Sequence, residues 1–149
     1  MLSSTSEYAL RALSELARLS RGEVILGREL ARKTGIPSKY LSKIMLALRN
    51  AGLVSATRGA GGGYMLQRPA DAIHLTDIVQ VFEGAPESPQ CLLRGAHNCG
   101  GDDCCLAHDR WSKVRSSYAE FLEQTTLIDI SVNTHDSQLT ATARKPVLN

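Results

Sequence analysis

Long apolar runs are absent from this sequence: no stretch comes near the ~20 residues that a membrane-spanning helix needs, so no membrane partner is expected. The opening Met1-Leu2-Ser3-Ser4-Thr5-Ser6 lacks the basic and apolar regions of a secretory signal, and the chain reads as cytoplasmic. There is too little length for a large multidomain enzyme. At 149 residues, 43% hydrophobic and 21% charged, the chain suits one ordinary globular domain or a small domain with an appendage. It has no internal repeat and little overall charge, the formal net value being +2.

That small net charge conceals an asymmetry. Residues 1–70 carry 11 Lys/Arg against 4 Asp/Glu, a net of +7, and residues 71–149 carry 6 against 11, a net of −5. A basic compact half joined to an acidic remainder points to nucleic acid, or an acidic membrane surface, as the partner of the first half. The four cysteines, Cys91, Cys99, Cys104 and Cys105, all lie in one window. In a reducing compartment such a cluster suits a metal or redox centre better than a structural disulfide.

The periodicity predicts a mainly α fold with one small β-hairpin. Ser4-x-x-Glu7 fits a capping box, and Ala9, Leu13, Leu16, Ala17 and Leu19 follow at helical spacing, giving a first helix from about Ser6 to Leu19. After the short apolar run Val24-Ile25-Leu26, a second helix spans Arg28 to Lys33 and stops at Gly35. Ser38 can cap a third, with Leu41, Ile44, Met45 and Leu48 on its inner face and Asn50-Ala51-Gly52 at its end. This is a helix-turn-helix pattern. The β-compatible segments Leu53 to Arg58 and Tyr64 to Arg68 flank a glycine-rich tip, which makes a hairpin, or wing, behind the third helix. Ile73, Ile78, Val79 and Phe82 suggest a closing helix ending near Gly84.

Residues 85–104 hold prolines, glycines and cysteines without periodicity, as in a loop that a ligand ties down. His108, Trp111, Val114 or Arg115, Tyr118, Phe121 or Leu122, and Thr125 recur at three and four, so one long amphipathic helix is expected from Leu106 to Gln124. A lone helix beyond a small domain needs another apolar surface, and a second copy of the chain supplies it, so a homodimer is expected. The resulting division is a winged helix-turn-helix domain over 1–84, a cysteine-rich cluster-binding loop over 85–104, a dimerisation helix over 105–130 and a disordered polar tail over 131–149.

A reading helix presents its N-terminal side chains to base edges in the major groove; here these are Ser38, Lys39, Tyr40, Ser42 and Lys43. Three-helix bundles also occur without DNA, and the wing and the +7 charge are what favour DNA over a protein-interaction module. Arg58 at the hairpin tip, beside Gly59 and Gly61, can enter a minor groove where a bulkier tip would clash. A phosphate-binding nucleotide loop is the competing reading of Gly59-Ala60-Gly61-Gly62-Gly63. It fails because the sixth-position glycine and a Lys-Ser/Thr pair are missing and a strand follows instead of a helix.

Cys91-x7-Cys99-x5-Cys105-x2-His108 supplies three thiolates and an imidazole, a donor set for zinc or for an iron–sulfur cluster. Free thiols in a mobile loop, a satisfied surface histidine at His108 and a capping role for Glu7 are the plainer readings. A small zinc-dependent or redox enzyme would also need an open coordination position and a placed general base, which nothing outside the cysteine window offers.

Ile36-Pro37-Ser38-Lys39-Tyr40-Leu41, Leu48-Arg49-Asn50-Ala51-Gly52-Leu53-Val54, Arg58-Gly59-Ala60-Gly61-Gly62-Gly63-Tyr64 and Thr126-Leu127-Ile128-Asp129-Ile130 together resemble the bacterial iron–sulfur winged-helix regulators, the IscR, NsrR and RirA group. The resemblance spans residues 1 to about 130, and the wing is its most specific part. It implies a homodimeric transcriptional regulator, a repressor in this reading, that binds double-stranded DNA at a palindromic operator. It also implies a cluster sensing iron supply, redox state or nitric oxide. Carried over, Cys91, Cys99 and Cys105 fall on the family's cysteine positions and His108 on a histidine ligand, which favours [2Fe-2S] over [4Fe-4S]. Glu7 falls where other branches place an acidic ligand and Cys104 is an additional thiol, so the fourth ligand stays open among His108, Glu7 and Cys104.

Overall fold

A computed structural model describes residues 2–84 and 106–131. The cysteine window, Cys91, Cys99, Cys104 and Cys105 included, and the tail beyond Ser131 lie outside the described residues, as do the expectations attached to them.

Helix α1 (Ser4–Ala17) starts two residues earlier than its periodicity suggests. Its cap is Ser3, whose side chain accepts the Ser6 N–H, so the expected Ser4/Glu7 box does not form. The reason lies 80 residues away in sequence: Glu83 Oε1 accepts the Ser3 N–H at 2.8 Å and the Ser6 hydroxyl at 2.7 Å, the part an acid within the box would have played. Glu7 is left exposed.

Helix α2 (Gly27–Thr34) ends at Gly35, which adopts the left-handed conformation at φ 69°. The bend through buried Ile36 leads into α3 (Ser38–Asn50), where Pro37, not Ser38, occupies the cap position. No side chain caps this helix; the Pro37 carbonyl accepts the Tyr40 and Leu41 N–H groups, both at 2.9 Å. Leu41, Ile44, Met45 and Leu48 are buried against Leu13 and Leu16 of α1 and Leu30 of α2 in one core, as their spacing requires.

The wing follows. Strands β1 (Val54–Thr57) and β2 (Gly63–Leu66) pair antiparallel from Val54↔Leu66 to Thr57↔Gly63. The run Val24-Ile25-Leu26 adds a third line to this ribbon through Ile25, which exchanges backbone hydrogen bonds with Tyr64 at 3.0 and 2.8 Å. That contact explains Gly63: a Cβ there would stand 2.4 Å from the Ile25 carbonyl oxygen. Gly61 faces open space. Gly63→Ala should therefore cost about 1–3 kcal/mol of stability in a urea titration, and Gly61→Ala less than about 0.5 kcal/mol. Equal losses would mean that the wing does not pack on Ile25.

Helix α4 (Leu75–Glu83) closes the domain and ends at Gly84. Helix α5 (His108–Gln124) is the amphipathic helix read from the sequence, and α6 (Leu127–Ser131) follows after a break. The break is a small piece of sheet: Leu75 N–H donates to Thr125 O at 2.9 Å and Leu127 N–H to Ile73 O at 2.8 Å. Asp129 accepts from the Thr126 N–H (2.9 Å) and hydroxyl (2.6 Å), which fixes the start of α6. Leu127 is fully buried, and Arg18 Nε donates to Ser131 O at 3.1 Å. Residues 125–131 thus pack back on the winged domain.

Burial works to raise the Glu83 carboxyl, but the hydrogen bonds from Ser3 and Ser6 outweigh it and hold it below its ordinary 4.5. A lowered folded value means that this contribution is complete above the ordinary carboxylate range and is lost as pH falls through the lowered value. Urea midpoints for Glu83→Gln should accordingly fall below wild type at neutral pH and converge with it in acid. A constant gap at every pH would show that the ionised carboxylate is not what the α1 cap needs.

Candidate nucleic-acid interface

Four of the five residues expected to read DNA, Ser38, Lys39, Ser42 and Lys43, are exposed on α3, opposite its buried stripe. Ser42 donates its hydroxyl proton to Ser38 O at 2.9 Å, which leaves its oxygen free to accept. The fifth does not join them. Tyr40 is half-buried and turned to α1, its hydroxyl bonded to Thr5 Oγ1 and its ring edge-to-face with Tyr8 at 5.7 Å and 80°. Sequence spacing fixed its position near the helix start; which neighbour it meets depends on how α1 crosses α3.

Leu46, unassigned from the sequence, is 49% exposed one turn beyond Ser42 and Lys43. It stands outside the 41/44/45/48 inner series, and that omission was the available signal. Hydroxyls, two ammonium groups and an apolar side chain on one helix face supply donors, acceptors and a surface for a thymine methyl.

Several cations of residues 1–70 are occupied within the fold. Arg18 pairs with Glu15 at 3.1 Å, Lys33 with Glu29 at 3.9 Å and Arg68 with Asp77 at 3.6 Å, and Arg11 lies 5.4 Å over the Tyr8 ring. Lys39, Lys43 and Arg58 have no such partner among the described residues and are exposed. Their charge is available to an anion.

The wing tip is shaped for close approach. Gly62 N–H donates to Gly59 O at 3.0 Å to close the turn, and Gly59 has φ +105°, where L side chains are strained. Gly59, Ala60 and Gly61 are exposed, so nothing larger than a methyl projects beside Arg58.

Of the metal-ligand candidates, only His108 and Glu7 are described. His108 is the half-buried first residue of α5 and Glu7 is exposed on α1. No group of three potential metal ligands occurs among the described residues, and the three thiols of the expected set lie outside them. The donor chemistry of the set still suits an iron–sulfur cluster, since thiolate is its usual ligand and imidazole a known substitute.

Helix α5 has two apolar edges. Leu122 is buried and Tyr118 half-buried against the chain's own core, while Val114 and Phe121 are 54% and 52% exposed. The Tyr118 hydroxyl is buried without a hydrogen-bond partner among the described residues, and burial, helped by the Glu83 carboxylate, pushes its pKa up.

Three helices around one core, a glycine-tipped β-ribbon and an exposed cationic face on the third helix define a winged helix-turn-helix DNA-binding protein. The sequence model of the Rrf2 family, described as iron-dependent transcriptional regulator, matches residues 2–133, and the chain belongs to that family. It is 31% identical over 135 residues to the HTH-type transcriptional regulator IscR of Yersinia enterocolitica, covering 91% of this chain and 80% of that one. Among solved structures it is similar to CymR, the global cysteine regulator of B. subtilis (TM-score 0.73, 30% identity, 88% of this chain and 95% of that one). It is also similar to IscR of T. potens (TM-score 0.70, 27% identity, 97% and 93%). These relatives are transcriptional regulators, not enzymes, and this chain is a DNA-binding regulator of transcription. Among the described residues no helix is long and apolar enough to cross a membrane.

Proposed function

We propose that the chain acts in the cytoplasm as a homodimeric repressor that reads a palindromic operator. In this reading α3 lies in the major groove, using Ser38, Lys39, Ser42 and Lys43, with Tyr40 bracing the helix from behind. The wing places Arg58, Gly59 and Gly61 at the adjacent minor groove. The observation that carries this is the set of exposed cations Lys39, Lys43 and Arg58, without an ion-pair partner among the described residues, in a half of the chain with net charge +7.

Operator affinity should fall steeply with salt, with a log–log slope of roughly −0.9 per phosphate neutralised. Arg58→Ala, counted in both subunits, should make that slope shallower by roughly 1.8 and leave the melting temperature unchanged. A slope that Arg58→Ala does not alter would remove the wing from the interface.

The regulatory half of the proposal is an iron–sulfur cluster held by Cys91, Cys99 and Cys105, with His108 as fourth ligand and [2Fe-2S] as the form that suits such a set. Glu7 and Cys104 are the other candidates for the fourth position. It is supported by the donor chemistry and by the likeness to IscR. Bound there, the cluster supplies an electron-accepting, oxidant-sensitive centre. Its loss would free residues 85–104, which join the winged domain to α5, and so alter the spacing of the two reading helices. A coupling of this kind is typically about 1–3 kcal/mol. The likeness to CymR supports a second reading, a cluster-free regulator whose thiols answer a cysteine-linked signal. Iron and sulfide counts on anaerobically purified protein separate the two.

A further inference from the structure

The first helix carries a ladder of side chains at a spacing of three: Thr5, Tyr8 and Arg11. Each rung touches the helix-turn-helix. Thr5 Oγ1 is hydrogen-bonded to the Tyr40 hydroxyl, and the Tyr8 ring meets the Tyr40 ring edge-to-face. Arg11 lies over Tyr8 and donates to the carbonyl of Thr34, the last residue of α2, at 3.4 Å. The turn that bears Thr5 is itself fixed at both flanks by Glu83, through the Ser3 N–H and the Ser6 hydroxyl.

Tyr40 lies in the first turn of α3, between Lys39 and the pair Ser42 and Lys43. In a helix each residue is turned by about 100° from the last, so a tether on Tyr40 sets the rotation of α3 and with it the direction of Lys39 and Lys43. The core residues Leu41, Ile44 and Leu48 hold α3 against the domain through apolar contacts, which are non-directional, and the Thr5–Tyr40 bond adds a directional contact at the start of the helix, beside Lys39.

We propose that Thr5 and Tyr40 are a positioning pair for operator recognition: their hydroxyl–hydroxyl bond fixes the rotation of the reading helix, and Tyr40 contributes to sequence discrimination through that bond and not by touching DNA. The proposal rests on the reading that α3 enters the major groove. Its consequence is selective. Phosphate neutralisation by the cations survives a small rotation, whereas base-edge contacts do not, so binding to unrelated sequence is spared while preference for the right one declines.

The test uses the full chain and two duplexes of equal length, one selected by this protein from a random-sequence pool and one with that sequence shuffled. Tyr40→Phe and Thr5→Val should each lower the selected-to-shuffled affinity ratio about fivefold, the scale of one hydrogen bond, with shuffled-duplex affinity held and the melting temperature lowered by a few degrees at most. The double variant should lose no more than either single one, because both remove the same bond. Thr5→Ser, which keeps the hydroxyl, should restore the ratio. Additive losses, or a loss in Tyr40→Phe that Thr5→Val does not share, would show that the Tyr40 hydroxyl meets DNA itself and would overturn the proposal. So would an unchanged ratio in both variants while Lys43→Ala weakens binding to the selected duplex. If Lys43→Ala is neutral as well, the placement of α3 falls, and the proposal with it.

Discussion

On the cluster proposal, protein purified anaerobically should be brown as wild type and colourless with Ala at Cys91, at Cys99 or at Cys105. Thiolates hold iron–sulfur clusters, and losing one of three anchors leaves a centre that neither charge nor geometry can close. The effect is therefore all or none in visible absorption and iron content. Cys104→Ala is the control, because the proposed ligand set takes Cys105 and not Cys104; that variant should keep both colour and regulation. His108 supplies a finer reading. Replacing it should leave a chromophore with shifted spectrum and potential if the imidazole is the fourth ligand, and an unchanged one if Glu7 or Cys104 fills the position. A colourless Cys104 variant beside a brown Cys105 variant would move the assignment by one residue and keep the cluster. Zinc with no iron in anaerobically purified wild type would end the cluster reading and favour the cluster-free regulator.

What the sequence made legible follows the range of the interactions concerned. Helices α2 and α3 and the wing rest on local signals: apolar spacing, Gly35 at a left-handed turn and a run of glycines between two β-compatible segments. Those signals act within a few residues, and they were readable. The start of α1 was not, because its cap depends on Glu83, whose approach is a property of the packed domain. Ser38 was misplaced by one position for a related reason. The Pro37 carbonyl can open the helix by itself, so the serine preference had nothing to decide.

Tyr40 shows the same limit at the candidate site. Its position three residues into α3 was evident, but an aromatic there can face a groove or a neighbouring helix, and only the crossing of α1 chose between them. The break after α5 could have been found. Thr126-x-x-Asp129 is a helix-start signal of the kind read at the N-terminus, hidden because Leu127 and Ile128 prolong the apolar pattern of the preceding helix. Composition disclosed the thiol donors, but they fall in a stretch of sequence without periodicity, where spacing carries no geometry.

Phe121→Glu should convert a dimer into a folded monomer. The apolar stripe of α5 has two edges: Leu122 and Tyr118 lie against the chain's own core, while Val114 and Phe121 stay more than half exposed, at 54% and 52%. Positions 114 and 121 are seven apart and so lie nearly in line on the helix, the register that two such helices use against each other. Burying the exposed half of one phenylalanine is worth about 0.8–1.5 kcal/mol, and two-fold symmetry counts it twice, so the dissociation constant should rise on the order of 10–10²-fold from lost burial alone. The added carboxylate would face its own copy and repel it. Because Phe121 is about half exposed and stands outside the core formed by the described residues, the melting temperature of the isolated fold should change little, whereas Leu122→Glu should unfold it. Sedimentation velocity at micromolar concentration reads the mass, and a duplex carrying two half-sites reads the loss of cooperative binding. A wild type that sediments as a monomer with or without its cluster would leave Val114 and Phe121 without a partner and would sink the homodimer.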